Sequence, residues 1–289
     1  MNKADYPALY RAASAASDRA QKGVIRCHKT SVICLVIAVI AAADGLTSRW
    51  LAVISAIFFL ASLGAFFYGK HQKLQASWYK ARALAESIKT ATWRLIMAAD
   101  PFSSAREDLN LAHFRGLLNE LLEENRGMGA QLSGEWASED QITVRIKEVI
   151  RLPFTQKKQL YLEERIQDQR RWYAKKSMDN RTSASIFLRL IIGAYAIALV
   201  LLMVRIANPE IPFLPIDVVA VIASGLIGWT EIKRFDELAS AYGLTAHEVG
   251  IIQTRYDAVA TPQDLSSFVS DAENAFSREH TQWAARRDH

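Results

Sequence analysis

Asp217, Ala220, Ser224, Gly228 and Glu231 follow one another at steps of three and four, the spacing that lines residues along one face of a helix. The face carries carboxylates at its ends and small residues between them; the run Ile211–Thr230 holds Asp217 as its one charge, and Glu231 follows it. Two chemistries suit that combination. Small side chains at i, i+4 and i+8 let helices approach closely in lipid. Carboxylates within a membrane face protein or a water-filled path rather than acyl chains, so the same face could line an ion path. Asp217 has a third option. It follows Pro215 closely and would then sit in a first helical turn, where the helix dipole favours an acid. A weaker small stripe, Ser55, Ser62 and Gly69, runs at steps of seven through an earlier apolar run, and packing is its expected role.

Catalytic signatures are absent. There is no Walker A loop, GxGxxG, GxSxG or HExxH, the patterns that cradle phosphates, bind dinucleotides, activate serine or hold zinc. The histidines (His28, His71, His113, His247, His280, His289) are scattered and free of cysteine neighbours, so no zinc site is expected. Cys27 and Cys34 are seven residues apart. On one helix that separates their Cα atoms by about 10 Å, too far for a disulfide. Gly127-Met-Gly129 reads as a turn rather than a phosphate loop. The sequence predicts no enzyme, no cofactor and no metal site. A net charge of +5 is too mild to imply nucleic acid.

The elements that must position the five-residue face are hidden by the averages. Over 289 residues, 51% are hydrophobic and 22% charged, and mean hydropathy is +0.02. Those values resemble a soluble protein and exclude a disordered chain. The apolar residues are segregated, however, into spans predicted at about 29–44, 50–69, 186–206 and 211–230. A membrane-crossing helix needs roughly 20 apolar residues. Arg or Lys flanks every run, and Trp50, Tyr68 and Trp229 stand at ends, where membrane interfaces favour aromatics. The links Asp44–Arg49 and Arg205–Pro215 are short and rich in turn formers, so each pair of spans reads as an antiparallel hairpin. Cys34–Ala43 has the look of a signal peptide's apolar region, but an Ala-rich helical stretch of nearly thirty residues precedes it, so the span is expected to be retained. Basic residues crowd the ends away from the short links: Lys22, Arg26 and Lys29, Lys70 and Lys73, Arg181 and Arg189, Lys233 and Arg234. The positive-inside rule then puts both termini and the middle of the chain in the cytoplasm.

The remainder reads as helix. Leu74, Trp78, Ala81, Ala85, Ile88, Thr92 and Leu95 form a coiled-coil-like seam, which Asp100-Pro101 ends. Glu107–Asn125 is amphipathic. Ser138–Gln141 reads as a capping box before Ile142, Ile146 and Val149. Thr155 reads as the cap of a long helix entering the third span. Thr245–Glu248 reads as a further capping box, ahead of a seam of Val249, Ile252, Tyr256 and Val259. Thr261-Pro262 opens a last helix with Leu265, Phe268, Ala272 and Phe276 on one face. The predicted fold class is all-α: an integral membrane protein of two transmembrane hairpins with long cytoplasmic helices. Its predicted divisions are a first two-span unit at 1–105, a helical linker at 106–154 and a second two-span unit at 155–289. The seams are expected surfaces for assembling several chains.

Tyr161-Leu-Glu-Glu-Arg165, Gln169, Trp172-Tyr173, Lys176 and Asn180, followed by a pair of spans and by Glu279–Trp283, resemble the SLATT family. These are the SMODS- and SLOG-associated two-transmembrane effector domains of bacteria. The first half resembles a second SLATT type through Trp78, Arg82–Ser87, Trp93-Arg94 and Asp100-Pro101-Phe102. The resemblance implies an effector of nucleotide-centred conflict or antiviral defence systems, acting by pore formation or membrane disruption. It implies activation by a separate nucleotide-signalling sensor or synthase, since no nucleotidyltransferase, TIR or SLOG segment is legible here. It supplies no catalytic residue. The leading expectation is an oligomeric, pore-forming effector in the lipid bilayer. The alternative is a non-conducting, membrane-anchored scaffold for a cytoplasmic partner.

Overall fold

The computed structural model describes residues 1–43, 49–132, 134–211 and 213–285. Most of the predicted first link, Asp44–Ser48, lies outside them. Every regular element among the described residues is helical. In chain order they are α1 (Ala8–Ala43), α2 (Arg49–His71), α3 (Leu74–Ile96), α4 (Glu107–Glu124), α5 (Val144–Ile150), α6 (Phe154–Tyr161), α7 (Asp168–Ala207), α8 (Ile216–Lys233), α9 (Phe235–Gln253) and α10 (Pro262–Ala285). A π-helical turn, Leu162–Gln167, joins α6 to α7. Lys73, at φ 47°, stands between α2 and α3.

Three helical stretches are long and apolar enough to cross a membrane: Ala8–Ala42, Arg49–Ile96 and Phe154–Ala207. They overlap the first three predicted spans. The fourth prediction corresponds to α8, which is apolar but carries Asp217, Glu231 and Lys233.

The chain forms two compact units, each drawing on both halves of the sequence. One comprises Met1–Ala20, Ala76–Ser177 and Ser240–His289; the other comprises Gln21–Gln75 and Met178–Ala239. The first unit is built like a soluble protein, with large side chains inside. Trp93, Phe102, Phe114, Tyr161, Tyr173, Phe268 and Phe276 are all buried, which is where burial of apolar area contributes most. The face predicted for α10 is buried at all four positions. Of the α3 seam, Trp78, Ala81, Ala85, Ile88, Thr92 and Leu95 are buried as well. These residues pack the interior of their own chain. The α3 seam, read from the sequence as a surface for assembling chains, is thus largely used up within one chain.

The second unit reverses that arrangement. Its buried side chains are small: Ala38, Ser55, Ser62, Ala194 and Ala223. Its exposed ones are large and apolar, among them Ile33, Ile57, Leu60, Phe66, Phe67, Leu199, Val200 and Met203. Helices packed in lipid follow this rule, because acyl chains solvate leucine as well as a protein core does while close approach needs small residues. A water-soluble monomer does not expose apolar area on this scale.

Caps explain where several helices begin, and they correct three expectations. Thr261 and Asp264 cap α10 reciprocally: Asp264 N donates to Thr261 Oγ1 at 3.1 Å, and Thr261 N donates to the Asp264 carboxylate at 2.8 Å. At α5 the cap is Thr143, whose Oγ1 accepts from Ile146 N, not Ser138. The residues read as that capping box serve another helix. Asp140 O accepts from Ala8 N and Gln141 Oε1 from Leu9 N, which satisfies donors that lack an intrahelical partner at the start of α1. Thr245 starts no helix. It is buried inside α9 and its hydroxyl donates back to Ala241 O, because the αL residue Arg234 has already separated α8 from α9. The long helix begins at Phe154 after Pro153, one residue before the predicted cap Thr155.

Candidate functional site

In the second unit, α1 and α2 lie side by side. Ser62 Oγ donates to Ser31 O at 3.0 Å, Ser55 Oγ donates to Ala38 O at 2.9 Å, and Gly69 faces Cys27. The partners climb on one helix as they fall on the other, so the two run antiparallel. The stripe Ser55–Ser62–Gly69 is thus the packing face that its spacing predicted. Each hydroxyl also satisfies itself on a backbone carbonyl, as polar groups in lipid must. Both cysteines are free thiols.

α8 runs antiparallel to α1 by the same reasoning. Gly225 faces Val32 and Gly228 faces His28. A Cβ on Gly225 would lie 2.7 Å from Val32 Cγ1, and one on Gly228 would lie 3.2 Å from His28 Cε1. Ala223 is buried. The predicted face of α8 is divided as a result. Gly228 is half-buried against α1, whereas Asp217, Ala220, Ser224 and Glu231 are exposed. Ser224 Oγ donates to Ala220 O of its own helix. Asp217 occupies the first turn of α8 and makes no side-chain cap; the N-cap is Pro215. Sequence spacing alone missed Gly225, because it does not share the 3–4 spacing of the marked face.

Trp229 gathers the end of this helix pair. The His28 ring stacks on it at 5.9 Å, Phe187 of α7 lies at 6.4 Å, and Lys29 and Lys233 both place Nζ over the indole.

The first unit holds a polar cluster that the sequence did not flag as a site. Arg165 and Glu273 are buried and form a two-pronged ion pair, Nε to Oε1 at 2.8 Å and Nη2 to Oε2 at 2.6 Å. Tyr161 OH donates to Glu273 Oε1 at 2.9 Å, and Trp93 Nε1 donates to Tyr6 OH at 2.9 Å. The guanidinium lies 4.6 Å from the Phe276 ring centroid and 5.9 Å from that of Trp93. Burial opposes the charge on Arg165, but the Glu273 carboxylate outweighs it and holds the group protonated. Burial pushes the Tyr10 hydroxyl up to about 12, and Glu86 adds to it. Burial lowers Lys89 below the usual lysine range, partly offset by Glu86. A cavity of about 380 Å³ opens beside this cluster, lined by Tyr6, Tyr10, Asp18, Lys89, Trp93 and Asp168 among others. A sequence signal for the pair did exist. Glu273 lies four residues after Val269 and three before Phe276, in the middle of an apolar face, and an acid there needs a buried partner.

Residues 7–158 match the family described as SMODS and SLOG-associating 2TM effector domain 3, and residues 161–283 match SMODS and SLOG-associating 2TM effector domain 1. No curated protein and no solved structure matches the chain. Two descriptions that each specify two transmembrane segments agree with the inverted burial of the second unit and with its long apolar helices. The chain belongs to the SLATT family of membrane effector domains and carries two different SLATT domains, type 3 then type 1, in tandem.

Proposed function

We propose that this protein is a bacterial inner-membrane effector of a nucleotide-signalled conflict or anti-phage defence system, and that it oligomerises to open a pore or breach the bilayer. α1 with α2 and α7 with α8 form two transmembrane hairpins, so α8 is a fourth span, and the basic ends hold both termini in the cytoplasm. The observation that carries the reading is the division of α8. Its inner residues Ala223, Gly225 and Gly228 meet the rest of the unit, while Asp217, Ala220, Ser224 and Glu231 face outward. Carboxylates on an outward membrane face are costly against acyl chains. Other copies of the same face would relieve that cost and surround a polar path, which four spans of a single chain are too few to enclose. The activating signal comes from a separate nucleotide-making or nucleotide-sensing partner.

Induced expression together with a membrane-potential dye tests this. Depolarisation and growth arrest under the activating condition are expected. Unchanged potential and growth, with the protein in the membrane fraction, would overturn the pore reading and leave a non-conducting scaffold.

A further inference from the structure

We infer that the cavity between the entry to α1, α3 and the π-helical turn is a binding site for a small aromatic monocarboxylate, held at its floor by Arg165, Lys89 and Tyr6. The site lies wholly within the first compact unit and is independent of the membrane-spanning reading.

Three segments each present side chains at steps of four. Tyr6, Tyr10 and Ser14 come from the entry to α1, Lys89 and Trp93 from α3, and Arg165 and Gln169 from the π-helical turn and α7. Residues at that step share one helix face, so three faces converge on a cavity of about 380 Å³, near the lower end for small-molecule sites. π-Helical turns recur at functional sites.

Arg165 supplies the observation that points to a ligand. It is 1% exposed, and its Nη1 has no hydrogen-bond partner among the described residues. Glu273 takes Nε and Nη2 instead. Arg165 lines the cavity and Glu273 does not, so the edge turned away from Glu273 is the one the cavity meets. A buried donor left without an acceptor costs more than a satisfied one contributes. Tyr6 adds a second donor: its hydroxyl accepts from Trp93 Nε1 at 2.9 Å, and its own proton has no acceptor among the described residues.

Lys89 supplies the charge. Its ammonium lies 4.0 Å from the Glu86 carboxylate, and burial still holds its pKa below the usual lysine range. Glu273 already balances Arg165, so the floor has room for one further negative charge. The two oxygens of a carboxylate divide between Nη1 and the ammonium. The acids of the lining are exposed and mark its mouth. Asp18 pairs with Lys3 at 3.6 Å, Glu164 pairs with the amino group of Met1, and Asp168 is exposed. Water and salt screen them. At the floor an effective dielectric constant of about 20 makes each charge interaction about four times stronger than in bulk water. A polyphosphate would carry surplus charge past those acids; a monocarboxylate does not. The rings of Tyr6 and Tyr10, 4.6 Å apart, and the indole of Trp93 give the ligand aromatic walls, against which a ring packs better than an aliphatic chain.

The test titrates the full chain in detergent with benzoate by calorimetry, beside benzamide, which keeps the ring without the charge, and acetate, which keeps the charge without the ring. Benzoate is expected to bind at millimolar concentration, at least tenfold more tightly than either. Lys89→Met should weaken it at least tenfold, and Ser14→Phe, which fills the cavity, should abolish it. Arg165 is left intact, because changing it would strand Glu273. Melting curves of both variants establish that they are folded, and Lys89→Met carries the test if Ser14→Phe is not. Benzamide binding as tightly as benzoate would overturn the charged floor, and acetate doing so would overturn the aromatic walls. Absence of benzoate binding, or binding untouched by Lys89→Met, would overturn the site itself.

Discussion

Arg165 and Glu273 stand 108 residues apart in sequence and meet through two parallel hydrogen bonds, with 1% and 0% of their side chains exposed. Arg165 sits in the π-helical turn before α7 and Glu273 in the middle of α10. Their pairing fixes the rotation of α10 against the start of the long helix, because any other rotation leaves a bare charge in an apolar interior. Tyr161 and Phe276 complete the setting.

Glu273→Ala is expected to destabilise the protein by about 3–5 kcal/mol, the usual cost of stranding one member of a buried ion pair. Replacing both partners, Arg165→Met with Glu273→Leu, should lose far less, because no charge is stranded. Thermal unfolding of the two variants and wild type in one detergent checks this. A double variant as unstable as the single would show that the pair is itself required.

Gly225→Leu should be worse for the fold than any change on the outward face of α8. A Cβ at Gly225 already falls 2.7 Å from Val32, and overpacking of this kind costs about 1–3 kcal/mol. Ser224 and Ala220 are exposed, so Ser224→Leu and Ala220→Leu are expected to shift stability by no more than about 0.5 kcal/mol. If the outward face assembles the protein, these two will alter oligomer size on a native gel and reduce depolarisation while the melting temperature holds.

Lys89 predicts a pH dependence. Burial lowers its pKa in the folded state, so in the interval between that value and the usual lysine value of about 10.4 the unfolded chain holds more protons. Stability from this group therefore rises with pH through that interval and is lowest at neutral pH, where the charge must be kept inside. Lys89→Met is expected to melt higher than wild type at pH 7, and the gap should close above about pH 10.5. Melting curves from pH 7 to pH 11 decide it.

Residues 1–158 and 159–289 expressed separately should fail to fold, and co-expression should recover a complex. Each compact unit draws segments from both halves. Trp93 of the first half, for example, packs edge-on against Tyr161 of the second at 5.6 Å. A stable, monodisperse half obtained alone would refute the prediction; co-purification of tagged halves would support it.

Local rules carried much of the fold. The apolar runs, the start of the last helix at Thr261-Pro262, the buried face of α10 and the small stripe Ser55–Ser62–Gly69 were all legible, because each depends on residues within a few turns of one helix. The capping assignments at Ser138 and Thr245 were not. A capping pattern is common by chance, and which one caps is settled by neighbours distant in sequence. Gln141 turns to Leu9 because α1 starts beside it, and Thr245 lies buried within a helix that began at Phe235.

The sequence by itself determined the tandem SLATT organisation, the helical class and the segregation of apolar residues, since period, composition and motif are properties of the chain order. Tertiary structure alone decided which faces are used. It placed the α3 seam inside its own chain, turned Gly225 and Gly228 inward and left Asp217, Ala220, Ser224 and Glu231 outward. It also paired Glu273 with Arg165 across 108 residues. The physical reason is that a helical period specifies a face but not its partner. The partner is selected by steric fit and by the cost of unpaired buried charge, and both arise only once distant segments meet.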